Sequence, residues 1–162
     1  MAKTIANVLV GVAKLEFKYP VGGSYVEFGY TKDGVTIEYS ASMKDIDVQE
    51  TTIPVSRVIE KETIKITANL AESSLINLNQ AMAGAVLAGS VITIGGGITK
   101  QLSIKITGTN PAGFARTIEI PLATAAGNVG MHYKKGEETI VPITFEALYT
   151  AAGSVTITDS TS

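Results

Sequence analysis

Apolar and polar residues alternate along most of this chain, and a single stretch departs from a period of two toward a helical period. Residues 56–70 are the clearest case: Ile64, Ile66, Ala68 and Leu70 share one face, Lys65, Thr67 and Asn69 the other, and Glu60-Lys61-Glu62 marks an exposed beginning. Leu102, Ile104 and Ile106 alternate with Ser103, Lys105 and Thr107. Phe114, Ile118, Ile120 and Leu122 answer them across the turn Asn110-Pro111-Ala112-Gly113, with Arg116 intruding on their apolar face. Strands are also predicted over 8–19, 131–135, 138–148 and 154–158, leaving a frayed tail over 159–162. Residues 25–30 and 35–40 are rich in β-branched and aromatic side chains. Between them, Asp33-Gly34 supplies the positive backbone angles of a tight hairpin turn.

The exception to alternation covers 72–85. Ser73 or Ser74 is placed to cap a helix, Glu72 lies where an acid favours its start, and Leu75, Leu78 and Met82 fall three and four apart on one face. Asn77, Gln80 and the alanines leave the other faces polar or small. So narrow a stripe is marginal alone, so the helix must lie on the sheets. Many short strands with one helix predict a mainly β fold, an antiparallel β-sandwich or barrel of two packed sheets with one flanking helix. At 162 residues the chain fits one domain, 1–162, large enough to bury a core without metal or disulfide staples.

One segment fits that scheme poorly. After Ser42 the alternation fails, and 43–54 mixes Asp45, Asp47 and Glu50 with Met43, Ile46, Val48 and Ile53. Connections inside compact domains run to about 4–6 residues, so a longer one with apolar side chains reads as a projecting arm that contacts something else. Its acids invite comparison with a calcium loop, but the glycine and spacing of an EF-hand are missing, which favours a solvated acidic loop.

Composition narrows the chemistry. There is no cysteine and a single histidine, His132, so thiol nucleophiles and His-rich metal sites are excluded within one chain and no catalytic set is signalled. Gly95-Gly96-Gly97 lacks both the spacing and the following helix of a phosphate-binding loop and reads as a turn, so no cofactor is expected. Lys14 and Glu16 interrupt the early apolar run far short of the roughly 20 residues of a membrane span, and no membrane anchoring is expected. A formal charge of −2 offers no basic field for gripping nucleic acid. Charged residues make up only 17%, against roughly 25% in average domains, which leaves room for subunit interfaces on the surface.

The order of elements carries a family resemblance. The run Gly-Ser-Tyr-Val-Glu-Phe-Gly-Tyr-Thr-Lys-Asp-Gly-Val-Thr-Ile-Glu-Tyr-Ser over 23–40, the acidic arm with Val48-Gln49 and Pro54, the long strand, and Leu-Ala-Glu-Ser-Ser-Leu-Ile-Asn-Leu over 70–78 together resemble the major tail tube proteins of long-tailed, siphovirus-like bacteriophages. The likeness spans roughly 8–82. It implies a structural virion protein of the tail, assembled in the host cytoplasm, whose hexameric rings stack into a tube that conducts DNA into the host. It implies tape measure, tail tip and tail terminator proteins as partners. In that setting the arm residues Met43, Asp45, Ile46, Asp47, Val48, Glu50 and Ile53 would reach the next ring. Thr36, Glu38, Ser40, Glu60 and Glu62 would face a lumen that repels phosphate rather than binding it. Two alternatives stay open: the tube of a contractile tail or type VI-like apparatus, and a β-sandwich carbohydrate-binding or adhesin module.

Overall fold

The computed structural model describes residues 13–97 and 99–161; residues 8–12 of the predicted first strand lie outside them. Ten strands and one helix follow in chain order: β1 (Lys14–Lys18), β2 (Val26–Glu27), β3 (Thr31–Ile46), β4 (Ser56–Leu70), α1 (Leu75–Ala81), β5 (Val86–Ala88), β6 (Val91–Thr93), β7 (Leu102–Thr109), β8 (Ala115–Ala125), β9 (Val141–Ala147) and β10 (Thr156–Asp159). Every pairing is antiparallel. The main sheet runs β2-β1-β7-β8-β9-β4-β3, with β10 attached to β8; β5 and β6 form a separate small hairpin.

Strand β8 makes two layers out of one sheet. Its residues from Ala115 to Ala123 pair with β7 and those from Arg116 to Glu119 also with β10, while Ala123, Thr124 and Ala125 pair with β9. Strands β1 and β9 stand three places apart in the sheet, which would separate them by about 14 Å if it were flat. Instead Phe28 touches both, its ring 4.5 Å from Phe17 of β1 and 5.9 Å from Phe145 of β9. The sheet therefore folds over at β8, and its inner faces meet across a core of Leu15, Ile66, Leu70, Ile104, Ile120 and Ile143. Each such side chain contributes about 1.5–3 kcal/mol by leaving water.

Helix α1 is shorter than predicted, seven residues rather than the span 72–85. Ser74 is the cap, its hydroxyl accepting from the Asn77 amide. The polar face predicted from Asn77 and Gln80 is corrected: both are buried, and Asn77 Nδ2 donates to the carbonyls of Phe28 and Glu72, each at 2.8 Å. Glu72 does not serve the helix start either. Its carboxylate accepts from the Tyr30 amide at 3.2 Å and fills the place a Cβ on Gly29 would need, 2.5 Å away, where φ is +89°. A side chain there would be strained by the positive φ and would displace the Glu72 carboxylate from the Tyr30 amide.

Three further expectations change. Asp33-Gly34 is not a hairpin turn: both residues have positive φ, but they form a two-residue bulge between the pairs Lys32–Asn69 and Val35–Ala68 inside one long strand. The residues before it, Val26 and Glu27, pair with β1 instead. No strand forms over 131–135, and the predicted frayed tail is corrected at its start: Asp159 lies in β10 and accepts two bonds from Arg116, at 2.5 and 2.7 Å, and the Ser160 amide donates to the Ala115 carbonyl at 2.8 Å. Asp159 explains how Arg116 sits on an otherwise apolar face.

Candidate functional site

The hairpin β3–β4 is longer than the body that supports it. Strand β9 covers β4 only from Lys65 to Leu70, so Ser56 to Ile64 have β3 as their one strand partner. The result is a two-stranded ribbon leaving the body, closed by a loop over 47–55. The arm predicted as a loop over 43–54 is thus corrected at its start: Met43, Asp45 and Ile46 are strand residues paired with Ile59, Arg57 and Ser56. Asp47, Val48, Glu50 and Ile53 do lie in the loop. Val55 donates its amide to the Ile46 carbonyl at 2.9 Å, which ties the loop shut.

Cross-strand register assigns the faces, because directly paired residues point the same way. Ile37 with Ile66 and Tyr39 with Ile64 continue the core face outward, followed by Ala41 with Glu62. Tyr39 Oη donates to Glu62 Oε1 at 2.6 Å, and this bond raises the phenol pKa. Glu60 is then an extra residue on β4, between the pairs Ser42–Lys61 and Met43–Ile59. The bulge flips the parity of β4, so Ile59 joins Met43 on the face that began in the core. Past them, Asp45 Oδ1 accepts from Arg57 Nε at 2.5 Å. This exposed bond holds the guanidinium in its charged form.

An apolar stripe thus runs off the end of the core. Met43 and Ile59 are 55% and 53% exposed, and Ile53 in the loop is 75% exposed. Where the ribbon leaves the body, an open hollow of about 400 Å³ lies between Glu62 and Ile64 on one side and Ala147, Tyr149 and Val155 on the other. Strand β3, sixteen residues long, forms one margin of the sheet, so among the described residues no strand lies beside its second hydrogen-bonding edge.

The opposite face is polar where the hairpin lies on the body, and toward the tip it carries Val58, paired with Lys44, and Ile46, paired with Ser56. Thr36, Glu38 and Ser40 lie together on its polar part, opposite Thr67, Lys65 and Thr63. Of the five residues predicted to face a lumen, Thr36, Glu38 and Ser40 share this face as expected of one strand, whereas in the separate stretch Glu62 points to the other side and Glu60 is the bulge residue. Across the body this polar face carries two rows, Glu38–Lys65–Glu146–Thr124 and Thr36–Thr67–Thr144.

Two further clusters lay beyond the sequence reading. On the outer face of the other layer, Glu16 meets Lys14 at 3.1 Å and Lys105 at 3.5 Å, and Tyr25 lies between Lys18 and Lys105, whose ammonium groups stand 4.8 and 4.6 Å from its ring centre. Beside α1, Lys100 is buried and donates to both oxygens of Asn79, to Oδ1 at 3.1 Å; burial lowers its pKa to about 8. Neither cluster resembles a catalytic set. The acids weighed for calcium do not converge either, since Asp45 is engaged by Arg57, and no group of metal-binding side chains occurs among the described residues. His132 lies in an exposed loop.

Comparison with protein-family models and with curated proteins gives no match. Among solved structures the chain is similar to one in the virion of a native gene transfer agent particle, with 11% identity over 97% of this chain and 99% of that one and a TM-score of 0.49. A crystal structure of Hcp protein is more distant, with 15% identity over 91% and 98% and a TM-score of 0.33. A chain of the six-fold symmetrised anti-feeding prophage baseplate aligns over 98% of this chain and 97% of its own, with 11% identity and a TM-score of 0.50, and with it this chain shares a fold.

Proposed function

We propose that this chain is a tail tube subunit, a structural virion protein that assembles as hexameric rings stacked into a conduit for DNA. The observation that carries the reading is the ribbon. A lone two-stranded hairpin is marginal in water, and a long unpaired edge invites pairing with another chain. This ribbon also exposes Tyr39, Met43 and Ile59 on the face that continues the core, interrupted by Glu62 and bounded by the Asp45–Arg57 pair, so a second copy is the natural cover. The chain with which it shares a fold belongs to a six-fold symmetrised assembly, which fits rings of six. The polar face bearing Thr36, Glu38 and Ser40 suits a wall past which phosphates slide, because its row Glu38–Lys65–Glu146 carries more acid than base. The role is structural rather than catalytic, in the tail of a virion assembled in the host cytoplasm, beside tape measure, tail tip and tail terminator proteins.

Negative-stain electron microscopy of the purified protein tests this directly. Wild type should form rings or tubes as concentration rises. A variant lacking residues 45–52 should keep the circular dichroism and cooperative unfolding of a folded domain yet form no tubes. Long tubes from that variant would remove the arm from the stacking contact. Association with a sheath protein would point to a contractile tail.

A further inference from the structure

The ladder between β3 and β4 slips by one residue near its middle, and the slip decides which side of the outer ribbon carries its apolar pair. Ser42 pairs with Lys61 and Met43 with Ile59, which leaves Glu60 without an opposite residue. Continued without the slip, the ladder would set Met43 against Glu60, Lys44 against Ile59 and Asp45 against Val58. Met43 and Ile59 would then lie on opposite faces, because paired residues share a face and chain neighbours alternate. With the slip, both stand on the face that continues the core, and Asp45 reaches Arg57.

That face is the one on which the hollow opens. Glu62 and Ile64 line the hollow with Ala147, Tyr149 and Val155, and Tyr39 pairs with Ile64. From there outward Tyr39, Met43 and Ile59 follow one another, all of them well exposed. The two carboxylates along this track are answered inside the chain, Glu62 by the Tyr39 hydroxyl and Asp45 by Arg57. The other side of the ribbon has no such track: its exposed Val58 and Ile46 are separated from the body by Ser40, Ser42, Lys61 and Thr63.

Resting on the tube reading, we infer that a second copy docks on one side of the ribbon only, the side of the hollow, and that the bulge at Glu60 is the device that keeps Met43 and Ile59 on that side. One partner then covers the hollow, Tyr39, Met43 and Ile59 as a single surface. The cover comes from outside the chain, because β9 reaches along β4 only to Lys65, short of both Ile59 and Glu62. In a stack of identical subunits the neighbour of every ribbon is another copy. A bulge re-aims the side chains beyond it at the loss of one ladder position, and here it re-aims the whole outer half of β4.

Substitutions that leave the ladder alone test the side. Met43→Ser with Ile59→Thr removes the apolar pair on the side of the hollow, and Val58→Thr with Ile46→Ser removes the pair on the other side. All four residues are exposed, so thermal unfolding of the monomers should match wild type. In negative-stain electron microscopy the first variant should form no tubes, and the second should form them as wild type does. Two further variants test the bulge. One threonine inserted between Ser42 and Met43 gives Glu60 a partner, keeps the pairs from Met43 outward and turns them over to the other face; it should form no tubes. Deleting Glu60 removes the bulge and leaves the same pairs on their original faces, so that variant should form tubes. Nuclear Overhauser contacts between residues 43 and 59 confirm the pairing in both, and if the insertion frays the ribbon the two substitution variants decide alone. Tubes from Met43→Ser with Ile59→Thr or from a correctly paired insertion, or none from the other two variants, would overturn the one-sided docking while wild-type tubes keep the tube reading. If wild type assembles at no concentration, both fall.

Discussion

Strand β4 is one run of alternating residues with two environments. From Lys65 to Leu70 it lies between β3 and β9 and its apolar face, Ile66, Ala68 and Leu70, is sealed; from Ser56 to Ile64 the same kind of residues stand in solvent with a single partner strand. Alternation says which residues share a face, but not whether anything covers that face. Cover depends on the reach of β9, only seven residues long. The inner half of β4 contributes to the stability of the monomer, and the outer half offers the same apolar chemistry to whatever binds it.

Substitutions of matched chemistry should pull the halves apart. Ile66→Ala leaves a cavity in a closed core and should cost about 2–5 kcal/mol in urea unfolding of the monomer. Ile59→Ala removes an exposed side chain and should change monomer stability by less than about 0.5 kcal/mol while reducing assembly in light scattering. Equal losses for both would mean that the ribbon folds back on its own body in solution.

The polar faces sharpen the contrast at a smaller scale. Both layers carry a Glu-Lys-Glu-Thr row, Glu16–Lys105–Glu119–Thr156 on one and Glu38–Lys65–Glu146–Thr124 on the other. The first row is partly closed over, its Glu16 side chain only 13% exposed and Tyr25 resting on Lys105. The second has no aromatic cover. Glu38→Lys should therefore leave ring assembly and unfolding nearly unchanged but slow DNA ejection from reconstituted particles, since the added cations would hold phosphate. Unchanged ejection would move the lumen wall to the other layer.

A pH-dependent effect, separate from the contrast of the two layers, concerns Lys100. Its pKa is lowered from 10.5 to about 8 when folded, so the unfolded chain binds more protons between those values and stability should rise with pH across that window. The cost is fully present below about pH 8 and gone above 10.5. The melting temperature of wild type minus that of Lys100→Met should grow across this range. A flat difference would mean that the ammonium reaches solvent.

Much of the fold was legible because alternation is a local property. Strand β4 was predicted with the bounds it has, and β7 and most of β8 followed from the same rule. Asp33-Gly34 misled because two positive φ angles serve a tight turn and a bulge equally well, and the choice depends on a partner strand more than thirty residues away. The burial of Asn77 was hidden for a related reason, since the carbonyls it serves come from Phe28 and Glu72. Of the candidate site, the projecting character of the arm was readable from its stranded apolar residues. The bulge at Glu60 left a trace as well: Val58 and Ile59 are adjacent apolar residues just before a charged triplet, which strict alternation forbids.

The end of β9 sets the mechanics of the ribbon. As far out as Glu38 and Lys65 the hairpin is held by β9, and its root is tied to the residues leading into α1 by the Tyr30 amide on the Glu72 carboxylate. Everything beyond is a lever. With an arm of roughly 23 Å from Tyr39 to Ile46 at about 3.3 Å per residue, a turn of about 5° where β9 stops would carry the tip through about 2 Å. A tube built from such levers could bend by small rotations at each root while its tip contacts stay made. The stiffness of such a tube would then depend on the last pair that β4 makes with β9, Lys65 with Glu146.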